Sequence, residues 1–443
     1  MTTQRIVSTQ PGPVLGTVSE GVFRLRGIPF AEPPLSERAD ARPAAPRPWT
    51  NALPCTAAKP APLQPQFLGM GMRSAANTAR DCLYLNVDAP ADGPENAPVM
   101  VWLYGGGYIT GDASDTLFDG GHLARRGVVV VRPNYRLGAL GRNNLCHADQ
   151  IAALTWVRDN IDQVGGDPSR VTLFGESAGA MSVCNLLTSP AAEGLFHRAI
   201  AQSGAGNNVA TATQFATAES RWQDVLAAER SPPDANRLIE LQTEFIRTQR
   251  RDLGGTAFRP WTDGVLLPQM PEQAAAARAS VPLLIGHNAD EHRLYMNPRR
   301  RLTRAELTAT LDGRMSDAEL RALRQSNLDA TPLELLAAAE TELRYRRPVL
   351  DYAAARSAAP DAAPTWLYRF NWRSPALRGW LRACHAIEIP FVFGNVDAPS
   401  TRKFVGPGYE ALQESMQSLW VSFAHSGTLP DDWAPYPAQR ELG

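Results

Sequence analysis

Lysine is nearly absent from this chain of 443 residues. Of its 44 basic residues only Lys59 and Lys403 are lysine; the rest are arginine. The 45 acidic residues balance them, and the net charge is −1. That leaves no global field to draw nucleic acid or an acidic membrane surface, and neither partner is expected. Long apolar runs are missing as well. Stretches such as GVVVV (127–131) fall far short of the roughly 20 residues that cross a bilayer. The N-terminal stretch MTTQRIVSTQPGPVLG has no apolar core segment of the signal-peptide kind. Cysteine is scarce and odd in number: Cys55, Cys82, Cys146, Cys184 and Cys384. Together these features lead us to expect a cytoplasmic protein with free thiols. No group of Cys and His has zinc-like spacing, so a metal site is not expected. Nothing in the composition speaks to oligomeric state.

What is present is an ordinary globular balance, 44% hydrophobic and 20% charged. The length suits one large core or two ordinary domains. There is no internal repeat. Residues 32–66 are rich in proline and alanine, but Trp49 and its apolar neighbours suggest a loop wrapped over a domain, not a free linker. From Cys82 onward the pattern becomes regular. CLYLNV, APVMVWLYGGG, GVVVVRPNYR and RVTLFG read as buried strands. Helical stretches lie between them, notably DQIAALTWVRDNI (149–161), with Ile151, Leu154, Val157 and Ile161 on one face. Such alternation predicts an α/β fold with a mostly parallel central sheet flanked by helices. After HRAIAQSG (197–204) the rhythm breaks. Mostly helical blocks, about 207–280 and 301–359, interrupt the strand signals VPLLIGHNAD (281–290) and PTWLYRFNW (364–372). Insertions after late strands are expected to form a helical layer over the C-terminal edge of the sheet, where α/β folds bind ligands. The last helix signal, 409–427, ends at Gly427.

The stretch TLFGESAGAMSVC (172–184) carries the chemistry. A serine hydroxyl is a weak nucleophile and needs both exposure and a base. A strand that turns sharply into a helix exposes one side chain above the sheet, provided the residues two either side are small. Gly175 and Gly179 meet that need around Ser177, the G-x-S-x-G elbow. The helix N-terminus beyond it leaves unpaired N–H groups, so the N–H of Ala178 faces an oxyanion formed at Ser177. YGGGY (104–108) follows an earlier strand, and its glycines let backbone approach a bound oxygen. Gly106 and Gly107 are read as the further oxyanion donors.

A base and an acid must follow the serine in this chain order. His287 and His292 flank the candidate acids too closely to be held by them. His425 falls in the last helix and reads as a surface residue. His385, in RACHAIEIPFVFG, remains. For the acid, VPLLIGHNADEHRLY offers Asp290 and Glu291, and spacing alone does not choose between them. Asp263, in WTDGVLLP, is weaker because DG there reads as a turn.

These motifs resemble those of the type-B carboxylesterases, the cholinesterase-like branch of the α/β-hydrolases. The likeness runs from FRLRGIPFAEPP to the final LWVSFAHSG, and is densest over DQIAALTWVRDNIDQVGGDPSRVTLFGESAGAMSV and SPAAEGLFHRAIAQSG. It implies one α/β-hydrolase domain over 1–443 that hydrolyses small-molecule carboxylic esters without a cofactor. It further implies Ser177 as nucleophile, Glu291 as acid and His385 as general base, with Gly106, Gly107 and Ala178 forming the oxyanion hole. Glu176 resembles the family's buried second acid, and Ser203, in AQSG, the serine that supports the triad from behind. Carbamate, amide or thioester substrates would use the same acyl-enzyme. A non-catalytic binding module on this fold is disfavoured, because all the triad types are present. The chain departs from the family pattern at Tyr104, Arg80, Arg142 and His292, lacks the usual cysteine partner of Cys82, and is about ten residues short before Asp149.

Overall fold

The computed structural model describes residues 2–35, 38–66, 68–69, 72–73, 75–93, 95–249 and 255–443. Residues 36–37 of the loop expected over 32–66, and residues 250–254 of the first insertion, lie outside that set. The largest sheet begins with antiparallel strands β1 (Thr3–Ser8), β2 (Pro13–Ser19) and β3 (Val22–Pro29). A short β4 (Leu53–Pro54) pairs with β2. It continues through β5 (Tyr84–Pro90), β6 (Ala97–Leu103), β7 (Val129–Pro133), β8 (Gly166–Glu176), β9 (Arg198–Gln202), β10 (Leu283–Asn288), β11 (Thr365–Phe370) and β12 (Gln439–Leu442). The order across the sheet is β1-β2-β3-β5-β7-β6-β8-β9-β10-β11-β12. From β7 to β12 every neighbouring pair is parallel, whereas β5 runs antiparallel to both β3 and β7.

Burial on both faces explains why these strands read as near-continuous apolar runs. Every residue of β6 is buried. Val99, Val101 and Leu103 join the core on one side, with Leu154, Val157 and Leu186; Met100 and Trp102 join the other, with Trp420 and Phe423. The helices that cover these faces are α1 (Leu145–Asn160), α2 (Ala178–Thr188) and, later in the chain, α9 (Glu410–Ser426). Helix α1 starts four residues before the expected Asp149, because Asn144 takes a left-handed cap with φ of 59°. Helix α9 ends at a left-handed Gly427, as expected.

Residues 207–280 contain α3 (Ala212–Ala227) and α4 (Ala235–Gln249), whose Trp222, Leu241 and Phe245 form a small cluster with Leu63 and Leu140. Residues 301–359 contain α5 (Arg304–Leu311), α6 (Asp317–Gln325), α7 (Pro332–Thr341) and α8 (Arg347–Ser357), with a π-helical turn at Glu342–Arg346 between the last two. The proline-rich stretch is pinned where its tryptophan sits: Trp49 donates from Nε1 to the Pro13 carbonyl at 2.8 Å and packs on the core. Among the described residues, no helix is long and apolar enough to cross a membrane.

Two buried charge clusters tie the layers together. Arg136 grips both oxygens of Asp149 and donates to the carbonyls of Ala39 and Ala41. Asp88 takes Arg132 at 2.7 Å and Arg26 at 2.6 Å. Removing one partner would strand a buried charge, which is costlier than the pair is stabilising. Arg142 pairs with Asp40 at 2.8 Å and Glu219 at 3.2 Å and so fastens α3 to the 38–41 turn.

Candidate active site

The turn from β8 into α2 leaves little space. A Cβ on Gly175 would lie 2.6 Å from the backbone of Gly179, and one on Gly179 would lie 1.9 Å from the Leu103 carbonyl oxygen. Neither position admits a side chain. Between them Ser177 adopts φ of 56°, a left-handed conformation that costs a non-glycine residue of order 1–3 kcal/mol. Its N–H donates to the Gln202 carbonyl at 2.8 Å, and its own carbonyl accepts from Met181, the first turn of α2. Strain is thus held by the neighbouring strand on one side and the helix on the other.

The glycine loop after β6 packs directly on this turn. A Cβ on Gly105 would fall 2.9 Å from Ser177 Cβ and 2.6 Å from Glu176 Oε2. Gly106 and Gly107 have φ of 109° and 63°, and the Gly106 carbonyl is turned back to accept from Ile109 and Thr110. No side chain caps the start of α2 at Ser177. The first N–H groups of α2 are thus left without a side-chain acceptor from Ser177.

His385 lies in the loop between β11 and α9 and is 3% exposed. Its Nδ1 is 2.6 Å from Glu291 Oε2, and its backbone N–H donates to the Glu291 carbonyl at 3.1 Å. Glu291 Oε1 accepts from the Asn288 N–H at 2.7 Å, so both carboxylate oxygens are held. Asp290 is turned elsewhere: its carboxylate pairs with Arg293 at 3.1 Å and lies 3.8 Å from Arg382. Spacing left the two acids equal; the backbone turn after β10 sends one inward and the other to the arginines. Asp263 caps its turn, accepting from Val265 and Leu267. His287 is buried with Nδ1 on the Asn288 carbonyl at 2.9 Å, and the His292 N–H donates to Thr341 Oγ1.

On its other edge His385 meets Glu176, with Nε2 3.0 Å from Oε1 at an angle that makes no hydrogen bond. No hydrogen bond joins Nε2 to Ser177 Oγ either; such contacts commonly tighten only with substrate in place. Burial pulls the imidazole pKa down, but carboxylates on both edges, Glu176 and Glu291, outweigh it and hold the group well above its ordinary range. Burial raises Glu176 in turn, against the pull of His385. Ser203 is also left-handed, with φ of 56°, and its buried hydroxyl lacks a hydrogen-bond partner.

The sequence reading missed a further carboxylate. Glu388 is fully buried, accepts from Asn288 Nδ2 at 2.6 Å and Gln202 Nε2 at 3.2 Å, and is pushed up to about 8 by burial and by repulsion from Glu176 and Glu291. Its place three residues after His385, in HAIE, was the available signal. The rings of Tyr345 and Tyr295 also flank the imidazole, with centroids at 4.9 and 5.6 Å. Tyr345 lies in the π-helical turn, which no periodicity announces. Of the family departures, Tyr104 is buried and stacked on Tyr135 at 4.4 Å, and Arg80 donates to the Pro233 carbonyl.

A doubly covered parallel sheet with a serine elbow at its C-terminal edge and a histidine–acid pair beyond defines an α/β-hydrolase. The carboxylesterase family model matches residues 3–442, and the chain belongs to that family. It is 37% identical to the para-nitrobenzyl esterase of Bacillus subtilis (strain 168), over 99% of this chain and 93% of that protein. It is 35% identical to the fumonisin B1 esterase of Sphingopyxis macrogoltabida, over 98% and 85%. A solved PNB esterase structure superposes with a TM-score of 0.85 at 36% identity, covering 98% of this chain and 94% of the other. The protein is a carboxylic ester hydrolase.

Proposed function

We propose that Ser177 is the acylated nucleophile, His385 the general base and acid, and Glu291 the group that orients and supports His385. The observation that carries this reading is the 2.6 Å contact between His385 Nδ1 and Glu291 Oε2, both buried, beside a serine held in a strained elbow. A carboxylate on Nδ1 fixes the tautomer that leaves Nε2 free to take the serine proton. Ser177 Oγ then attacks the ester carbonyl. The N–H groups of Gly106, Gly107 and Ala178 receive the oxyanion, each such donor lowering the barrier by about 3 kcal/mol. His385 protonates the departing alkoxide, and water repeats the sequence to release the acid. Glu176 faces the imidazole edge that becomes charged, and so favours the imidazolium. Ser203, the residue after β9, backs the elbow from behind the triad. None of these steps calls on a metal or organic cofactor. The substrate is a small carboxylic ester and the compartment the cytoplasm.

Ser177→Ala tests the reading. The variant should fold, lose ester hydrolysis by at least about 10³-fold, and resist a serine-directed organophosphate that labels the native protein once. Labelling that survives in the variant would identify a different nucleophile.

A further inference from the structure

Gln64, near the end of the proline-rich stretch, is fully buried and is matched to one residue of the glycine loop. Its Nε2 donates to the Gly111 carbonyl at 2.8 Å, and its Oε1 accepts the Gly111 N–H at 3.0 Å. One carboxamide thus satisfies both backbone polar groups of Gly111, as a neighbouring strand would. The amide is itself held. Nε2 also donates to the Pro62 carbonyl at 3.0 Å, and Oε1 accepts the Ala75 N–H at 3.4 Å. Tyr104 closes Gly111 in from another side, since its ring would lie 2.2 Å from a Cβ there. The segment leading to Gln64 is fixed as well: the Ala61 N–H donates to the Asn77 carbonyl at 3.0 Å, and Ala61 and Pro62 pair with Thr78 and Ala79.

The loop that Gln64 holds is strained. Tyr108 has φ of 63° although it is not glycine, and Gly107 beside it has the same φ. Such a conformation persists only where the surroundings over-determine it. The loop closes on itself through the Gly106 carbonyl, which accepts the Thr110 N–H at 3.1 Å and Thr110 Oγ1 at 3.3 Å. Thr110 is joined directly to Gly111, so the closure is only as fixed as Gly111 is. The Gly138 N–H, on the Tyr108 carbonyl at 2.8 Å, holds the middle of the loop. Among the described residues the N–H groups of Gly106 and Gly107 meet no acceptor, as donors kept for an oxyanion require.

We propose that Gln64 is a positioning residue for ester hydrolysis: by fixing Gly111 it fixes the turn from Gly106 to Thr110, and with it the aim of the Gly106 and Gly107 N–H groups. This rests on the reading of those two groups as oxyanion donors above. Gln64 touches no substrate. Its effect falls on the transition state, because the ester oxygen gains its charge, and its need for aligned donors, only as Ser177 adds. Without the clamp the loop is free to shift, and a displacement of about 1 Å at a reacting centre costs roughly a hundredfold in rate. The proline-rich stretch then serves catalysis as well as covering the core.

The test compares the native enzyme with Gln64→Met, which keeps the side-chain length and loses all four hydrogen bonds. Rates on p-nitrophenyl butyrate are taken per active serine, counted with an organophosphate, so unfolded protein does not enter. The variant should lose about tenfold to a hundredfold in kcat, with KM changed by less than about threefold. Inhibition by a trifluoromethyl ketone, whose adduct carries the oxyanion, should weaken by a similar factor. A variant with native kcat and native ketone affinity, however low its melting temperature, overturns the proposal. If Gln64→Met does not fold, Gln64→Glu serves. Its protonated carboxyl copies the donor and the acceptor of the amide; its ionised form faces the Gly111 and Pro62 carbonyls with no donor. The ratio of its kcat to the native value should therefore fall between about pH 6 and pH 9, and a ratio flat over that range overturns the proposal. Failure of the oxyanion reading shows separately: the native enzyme would then bind the trifluoromethyl ketone no better than the methyl ketone of equal length.

Discussion

Glu291 and Asp290 are adjacent acids of the same charge, and only the turn after β10 separates their fates. Glu291 has both oxygens held and no exposure; Asp290 belongs to the Arg293 pair. Glu291→Gln should therefore cost about 10³-fold or more in kcat, since an amide neither fixes the tautomer nor supports the imidazolium. Asp290→Asn should cost less than about tenfold; the reverse ranking would overturn the assignment. The pH profile follows from the same residues. The base must be neutral to act, and the carboxylates beside it hold His385 protonated to higher pH. The acid limb of kcat/KM should then lie above the ordinary histidine value of about 6.5. Glu176→Gln removes one of those carboxylates, so the limb should move toward acid. A limb that moves toward alkali would show that Glu176 does not raise His385. At this scale the serine, the histidine and the glycines were legible because their chemistry constrains the residues around them. Glu388 was not, because a buried carboxylate looks like any surface glutamate until its neighbours are known.

The elbow is a property of two elements and of the strand beside them. Gly179 has an ordinary negative φ, so backbone freedom is not why it is glycine. Its Cβ position falls on the Leu103 carbonyl, and β6 is pinned in mid-sheet between β7 and β8. Gly179→Ala must push strand or helix aside and should lower stability by several kcal/mol. Gly127→Ala is the control: φ is 86° there but nothing lies within 4 Å, so the cost should be only about 1 kcal/mol. Thermal melts of the two variants compare the effects, and equal shifts would mean the elbow is not sterically determined. β6, β7, β8, β10, β11 and α9 were legible because each carries an apolar run or an amphipathic period; the parallel edge strand β12, QREL with a single buried residue, was not. β1 to β3 were not. β1 lacks a buried position, and β2 and β3 owe their place to pairing across the sheet, which no local pattern records.

Across the whole molecule the cysteines are spread through separate layers, and each is free and buried. Cys184 is buried like every other residue of α2, a helix enclosed on all sides, so its position on one face does not set its burial. Burial pushes Cys55 up to about 11 and Cys146 and Cys184 up to about 12, and raises Cys82 and Cys384 as well. The thiolate is the reactive form, so the folded protein should resist alkylation even at pH 8. Cys384 is the sharpest case. It adjoins His385, which lowers its pKa, but burial outweighs that pull and leaves the thiol protonated. Titration with a thiol reagent at pH 8 should therefore find almost no reactive group in the folded protein. In denaturant, without reductant, it should find all five. Recovery of only three in denaturant would establish a disulfide and overturn the cytoplasmic assignment. Rapid labelling of one thiol in the folded protein, traced to Cys384, would mean that the loop carrying His385 opens to solvent.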